Sequence, residues 1–83
     1  MREITLDDLF QVFEEGAGAA EHSQPRASLL DTSFDEIGYD SLAMLETATR
    51  IELKFDVTLS DEDVNLAKTP RLLLQLVNSA LAA

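Results

Sequence analysis

"DSLAMLETATRIELKF", residues 40–55, is the stretch that decides the fold. Met44, Ala48, Ile51 and Phe55 fall within one narrow sector at about 100° per residue, the pattern of a helix with a single buried stripe. Asp40 stands where an N-cap belongs, and Ser41 falls in the first turn behind it. The far side of the same helix carries a second stripe of Leu42, Glu46, Thr49 and Leu53. Single exposed leucines are ordinary. A leucine beside an exposed serine, running on into an acidic face, has the character of a docking surface.

Working outward from this helix, "ITLDDLFQVFEE" reads as an earlier one. Thr5 is a good N-cap and Asp8 takes the capping-box position three residues on. Ile4 and Leu9 have hydrophobic-staple spacing. Leu6, Leu9, Phe10 and Phe13 make one helical face, and Gly16 and Gly18 are expected to end it. A loop follows to Ser33, broken by Pro25, with Leu29 and Leu30 expected to anchor its second half. Its length is unusual for a compact domain. Ser33 and Glu36 have capping-box spacing, which predicts a single helical turn before Gly38.

Downstream, residues 56–59 connect to a short helix over "DEDVNLA", started by Ser60 with Asp63 at the capping-box position. "TPRLLLQLVNSAL" is the last helix. Thr69 as N-cap with Pro70 at the first helical position is a strong start signal, and Leu73, Leu76, Val77 and Ala80 line its inner face. No longer stretch alternates with period two, and no internal repeat appears. The expected fold is all-α: a small four-helix bundle, three main helices and a short third one, with a long loop after the first.

Composition narrows the function. The 83 residues leave room for one small domain, which buries only about 60–65% of its unfolded surface. A hydrophobic content of 46% is too high for a disordered acidic tail. Sixteen acidic against six basic side chains give a formal net charge of −10. That argues against nucleic acid and for protein partners with basic patches. No apolar run approaches a membrane span, and "MREITLDDLF" does not read as a signal peptide, so a cytoplasmic location is expected. With no cysteine there is no disulfide and no thiolate metal site. Any thiol chemistry here needs an imported thiol.

Three chemical readings fail on the residues. Ser41 as a hydrolase nucleophile would need a base and an orienting group. The G-Y-D-S-L context lacks the second glycine of a nucleophile elbow, and no strand precedes it. "DEDVNLAKTPRL", residues 61–72, begins with the D-x-D-x-N spacing of a calcium loop. Leu66 then replaces the glycine of the sharp turn and Leu72 the bidentate glutamate, so no metal site is expected. His22, the only histidine, has nothing near it in sequence that would hold it for chemistry or a metal.

The residues do carry a family resemblance. "GYDSL" at a helix start, with the first helix before it and "TPRLLLQLVN" after it, resembles an acyl carrier protein from Leu6 to Leu81. "GYDSLAMLETATRIE" and "TPR" are most similar to the carriers of type II, aromatic polyketide synthases. Fatty-acid carriers more often have alanine where Tyr39 stands and acids at the positions of Leu53 and Lys54. The resemblance implies a single acyl carrier domain over residues 1–83, monomeric and not itself catalytic. It implies that Ser41 bears 4′-phosphopantetheine, transferred from coenzyme A by a phosphopantetheinyl transferase. Malonyl units and the growing polyketide chain would ride on that arm as thioesters in antibiotic biosynthesis. The partners it implies are a ketosynthase/chain-length factor, a malonyl transferase, and tailoring reductases and cyclases. The residues expected to meet them are Asp40, Leu42, Glu46, Thr49 and Leu53. A fatty-acid carrier and a non-carrier helical interaction module are the alternatives at this point.

Overall fold

The computed structural model describes residues 3–18 and 25–83. His22 lies outside the described residues. The elements are helix α1 (Leu6–Ala17), a 3₁₀ turn (Arg26–Leu29), α2 (Phe34–Ile37), α3 (Ser41–Phe55), α4 (Asp61–Leu66) and α5 (Pro70–Ala82), with no strand among the described residues. The chain is all-α, as its patterning predicts. The stretch at 40–55 is α3, and the single turn before Gly38 is α2.

Every α-helix starts where a short polar side chain takes up an orphan amide. Thr5 and Asp8 close a reciprocal capping box at α1. The Ser33, Asp40, Ser60 and Thr69 side chains accept from Glu36, Ala43, Asp63 and Leu72 N–H respectively. Each such cap contributes about 1 kcal/mol. Gly16 does not end α1; it lies inside the last turn, and Gly18 at φ +86° stops the helix with its N–H donating to Glu14 O. Gly16 is also approached closely from another helix. A Cβ there would come within 2.8 Å of Arg50 Nε, because the Arg50 side chain lies across it.

The core forms where α1 lies chiefly against α3, with α4 and α5 closing the remaining sides. α1 contributes Leu9, Phe10, Val12 and Phe13, all fully buried, while Leu6 is half-buried. Val12 widens the face beyond the predicted stripe. On α3, Met44, Ala48 and Ile51 are buried as expected. Phe55 at the helix end is half-buried, and Thr47 is the residue that completes the inner face. α5 buries Pro70, Leu73 and Val77, with Leu76 and Ala80 half-buried against the core.

The second half of the long connection is more structured than its sequence predicts. It carries the 3₁₀ turn, whose Leu29 is buried. Arg26 ties the turn back to α1, 3.2 Å from Asp7 and 2.7 Å from Glu14, with its guanidinium over the Phe10 ring. Leu30 is only half-buried, and it anchors the segment through its carbonyl, which accepts from Arg71 N–H. Asp31 and the Arg71 guanidinium add a two-pronged pair beside that bond. Among the described residues no helix is long and apolar enough to cross a membrane.

Candidate functional site

The geometry around Ser41 is set by the three residues before it. Gly38, at φ +108°, adopts a left-handed conformation that a side chain would strain, and it turns the chain from α2 directly into α3. Tyr39 N–H donates to Phe34 O, closing that turn. The Tyr39 ring then drives into the core. It is 3% exposed and stacks on Phe13 at 4.5 Å between centroids, while Phe34 meets Phe13 from 5.1 Å. Its phenol donates to Gly18 O at 3.2 Å. Burial, and after it the Glu14 carboxylate, push the phenol above its usual pKa and keep it a neutral donor. A buried wedge at 39 leaves 40 and 41 to face solvent.

Asp40 is exposed and caps α3 through Ala43 N–H at 2.9 Å. Ser41 is the first helical residue and is exposed; among the described residues nothing hydrogen-bonds its hydroxyl. Ser33 and Ser60 differ, because each uses its oxygen to cap a helix. A serine at the first helical position needs no such bond, so its hydroxyl stays available. No titratable side chain among the described residues hydrogen-bonds to it.

Ser41 borders a cavity of ≈100 Å³ between α2, α3, α4 and the linker into α5. Phe34, Tyr39, Met44 and Val64 supply apolar lining, and Ser33, Asp35, Asn65 and Lys68 the polar part. Such a donor set, one ammonium, one amide and one hydroxyl beside a serine, suits an anionic, amide-bearing adduct. The residues present therefore fit a phosphopantetheine group, and a cavity of this size takes its first atoms rather than a long chain.

The outer face of α3 is as exposed as its periodicity predicts. Leu42 is 64% exposed and Leu53 81%. Glu46 and Thr49 lie open between them, with the Thr49 hydroxyl donating to Leu45 O. Glu46, Thr49 and Leu53 border one shallow recess together with Arg50, while Leu42 stands a turn nearer Ser41. Arg50 is a member the sequence reading missed. Its spacing of four from Glu46 is the only local signal for it. Leu66 and Leu72, also exposed, form a second apolar patch that was not foreseen, beside Ala67 and Leu76. Lys68 at the cavity has no sequence signal at all.

Comparison with known proteins agrees with this geometry. The family model described as the phosphopantetheine attachment site matches residues 19–77. The granaticin polyketide synthase acyl carrier protein of Streptomyces violaceoruber is 45% identical over 82 residues, covering 99% of this chain and 96% of the relative. The actinorhodin polyketide synthase acyl carrier protein of Streptomyces coelicolor is 43% identical, covering 95% and 92%. The solved apo form of the actinorhodin carrier superposes with a TM-score of 0.85 at 42% identity, over 98% of this chain and 94% of that one. Its holo form superposes with a TM-score of 0.82. The chain belongs to the phosphopantetheine-attachment family, among the acyl carrier proteins of type II polyketide synthases, and its prosthetic group is 4′-phosphopantetheine.

Proposed function

We propose that Ser41 is the residue that bears the prosthetic arm, and that the outer face of α3 presents it to the enzymes of an aromatic polyketide synthase. The observation that carries this reading is the Ser41 hydroxyl itself, exposed at the first turn of α3 with no hydrogen-bond partner among the described residues. The arm supplies the thiol that the chain lacks, on which an acyl group is carried as a thioester.

The chain's own residues do the rest. Gly38 and Tyr39 hold Ser41 outward, so a transferase can bring its own base, metal and coenzyme A to an exposed hydroxyl. The first-turn amides of α3 favour an attached phosphate. Asp40 opposes it as a neighbouring anion, so its value lies in capping and in partner recognition. Leu42 and Leu53 offer apolar contact at the two ends of the face, with Glu46 and Thr49 between them. At a formal net charge of −10, encounters with basic partner surfaces are fast and salt-sensitive. The partners on this reading are a phosphopantetheinyl transferase, a ketosynthase/chain-length factor, a malonyl transferase, and tailoring reductases and cyclases. The carrier meets them as a single-domain monomer in the cytoplasm.

The test is intact-mass analysis after incubation with a phosphopantetheinyl transferase and coenzyme A. The wild-type chain gains one phosphopantetheinyl group. Ser41→Ala keeps its helical circular dichroism and gains nothing. A mass gain in that variant, at Ser33 or Ser60 for example, overturns the assignment.

A further inference from the structure

The described cations are not equivalent. Arg26 is held by Asp7 and Glu14, Lys54 by Glu15, and Arg71 by Asp31. Arg50 lies across Gly16. Lys68 has no acidic partner within ion-pair distance among the described residues, and it lines the same ≈100 Å³ cavity as Ser41. In a chain carrying ten net negative charges, a lone ammonium group beside the attachment serine is an unusual local field.

Its position is built. Lys68 sits in the two-residue linker between α4 and the cap of α5, and its carbonyl accepts from Phe34 N–H at 2.9 Å, fixing the linker to the start of α2. Ala67 before it is buried, and Thr69 after it caps α5. The backbone at Lys68 is therefore tied on both sides while its side chain is exposed. Asn65 lines the cavity next to it. Ser33 lines it from α2, and because its oxygen already accepts from Glu36 N–H, its own proton is free to donate outward. Asp35 is the single acid in the lining and works against an anion there.

We propose that Lys68 is a positioning residue for the prosthetic arm. Its ammonium group holds the phosphodiester joined to Ser41 at the cavity mouth, and Asn65 and Ser33 donate to the arm's polar atoms just beyond. This rests on Ser41 being the attachment site. A phosphodiester keeps one negative charge at neutral pH, and a charge-assisted bond to it is stronger than a neutral one. Exposed pairs are nevertheless weak, so the hold is partial and reversible. The arm lies against the seam of α2 and α4 between visits and swings free when a partner enzyme competes for it.

The experiment uses the holo-protein, with loading checked first by intact mass. In ¹³C-labelled wild type, cross-relaxation is expected between the Lys68 ε-methylene and the arm methylene next to the phosphate, with none at Lys54. The ³¹P line is expected to narrow by about 1.5- to 2-fold in Lys68→Gln, to recover in Lys68→Arg, and to stay at its wild-type width in Lys54→Gln. Added salt narrows the wild-type line and leaves that of Lys68→Gln unchanged. Asp35→Asn broadens it. A wild-type chain that gains no mass overturns both the attachment reading and this one. A loaded chain without the Lys68 contact, or with equal ³¹P widths in wild type and Lys68→Gln, overturns this inference alone and leaves Ser41 standing.

Discussion

The two faces of α3 are made of similar residues and do opposite work. Inward, Met44, Thr47, Ala48 and Ile51 are buried against α1 and its neighbours. Outward, Leu42, Glu46, Thr49 and Leu53 stand in solvent. Each face has at least one branched aliphatic and one threonine, so residue type alone does not separate them. The threonines even reverse the usual rule: exposed Thr49 donates to the carbonyl four residues back, while the hydroxyl of fully buried Thr47 has no partner among the described residues. Angular position decides which face holds the fold and which is left in solvent.

The comparison breaks most sharply at Ile51. Ile51→Ala removes a side chain with no exposed surface, and is expected to cost about 2–4 kcal/mol through lost burial and a residual cavity. In a domain this small that is a large share of total stability. Chemical denaturation measures it. A loss no greater than that of an outer-face variant would mean that the inner face is misassigned.

Thr47→Val is the next largest, with the opposite sign. Replacing an unpartnered buried hydroxyl by a methyl group of similar shape is expected to stabilise by about 1 kcal/mol. Denaturation midpoints read it. A destabilised Thr47→Val would show that the hydroxyl makes a bond in solution after all.

Leu42→Ala is expected to move stability by about 0.5 kcal/mol or less, as for an ordinary surface change. Its effect belongs elsewhere: transferase loading or chain transfer slows while the melt stays put. Parallel kinetics and melting on Leu42→Ala and Ile51→Ala sharpen the contrast into a separation of function from folding. Unfolding of the Leu42 variant at the same denaturant concentration as the Ile51 variant would erase it.

The smallest effect lies outside α3, at the start of α1. Asp8 accepts from Thr5 N–H, and that bond, with the Thr5 side chain second, holds its carboxyl below the usual carboxylate pKa. A depressed pKa contributes stability above the unfolded value near 3.8, and that contribution fades as pH falls through the lower folded value. Acid unfolding of wild type and Asp8→Asn should therefore differ at neutral pH and converge at low pH. A difference that persists in acid would assign Asp8 a role other than the cap.

Both the helix starts and the exposed serine at the first turn of α3 were legible in the sequence, for one reason: they depend on neighbours within four residues. Thr5, Ser33, Asp40, Ser60 and Thr69 each answer an amide a few positions on, so composition and spacing were enough to place them. The outward direction of Leu42 and Leu53 follows from helical geometry alone. Gly16 shows where local reasoning misleads. Glycine reads as a helix stop, yet this one sits inside α1, with the side chain of Arg50, thirty-four residues away in the chain, lying across it.

What the sequence by itself determined is the set of helices, their caps, the stripe that each must bury and the serine left at the first turn of α3. What only the tertiary structure decided is what those helices do to one another. Tyr39 becomes a buried wedge on Phe13 and a donor to Gly18, and so aims Ser41 outward. Asn78, from the far end of the chain, both accepts from Ile4 N–H and donates to its carbonyl, tying down the approach to α1. Arg26 clips the 3₁₀ turn to α1, and Lys68 arrives at the cavity beside Ser41. These contacts join residues from twelve to seventy-four positions apart. Their partners are chosen by how the packed helices meet, and no periodicity along the chain records that.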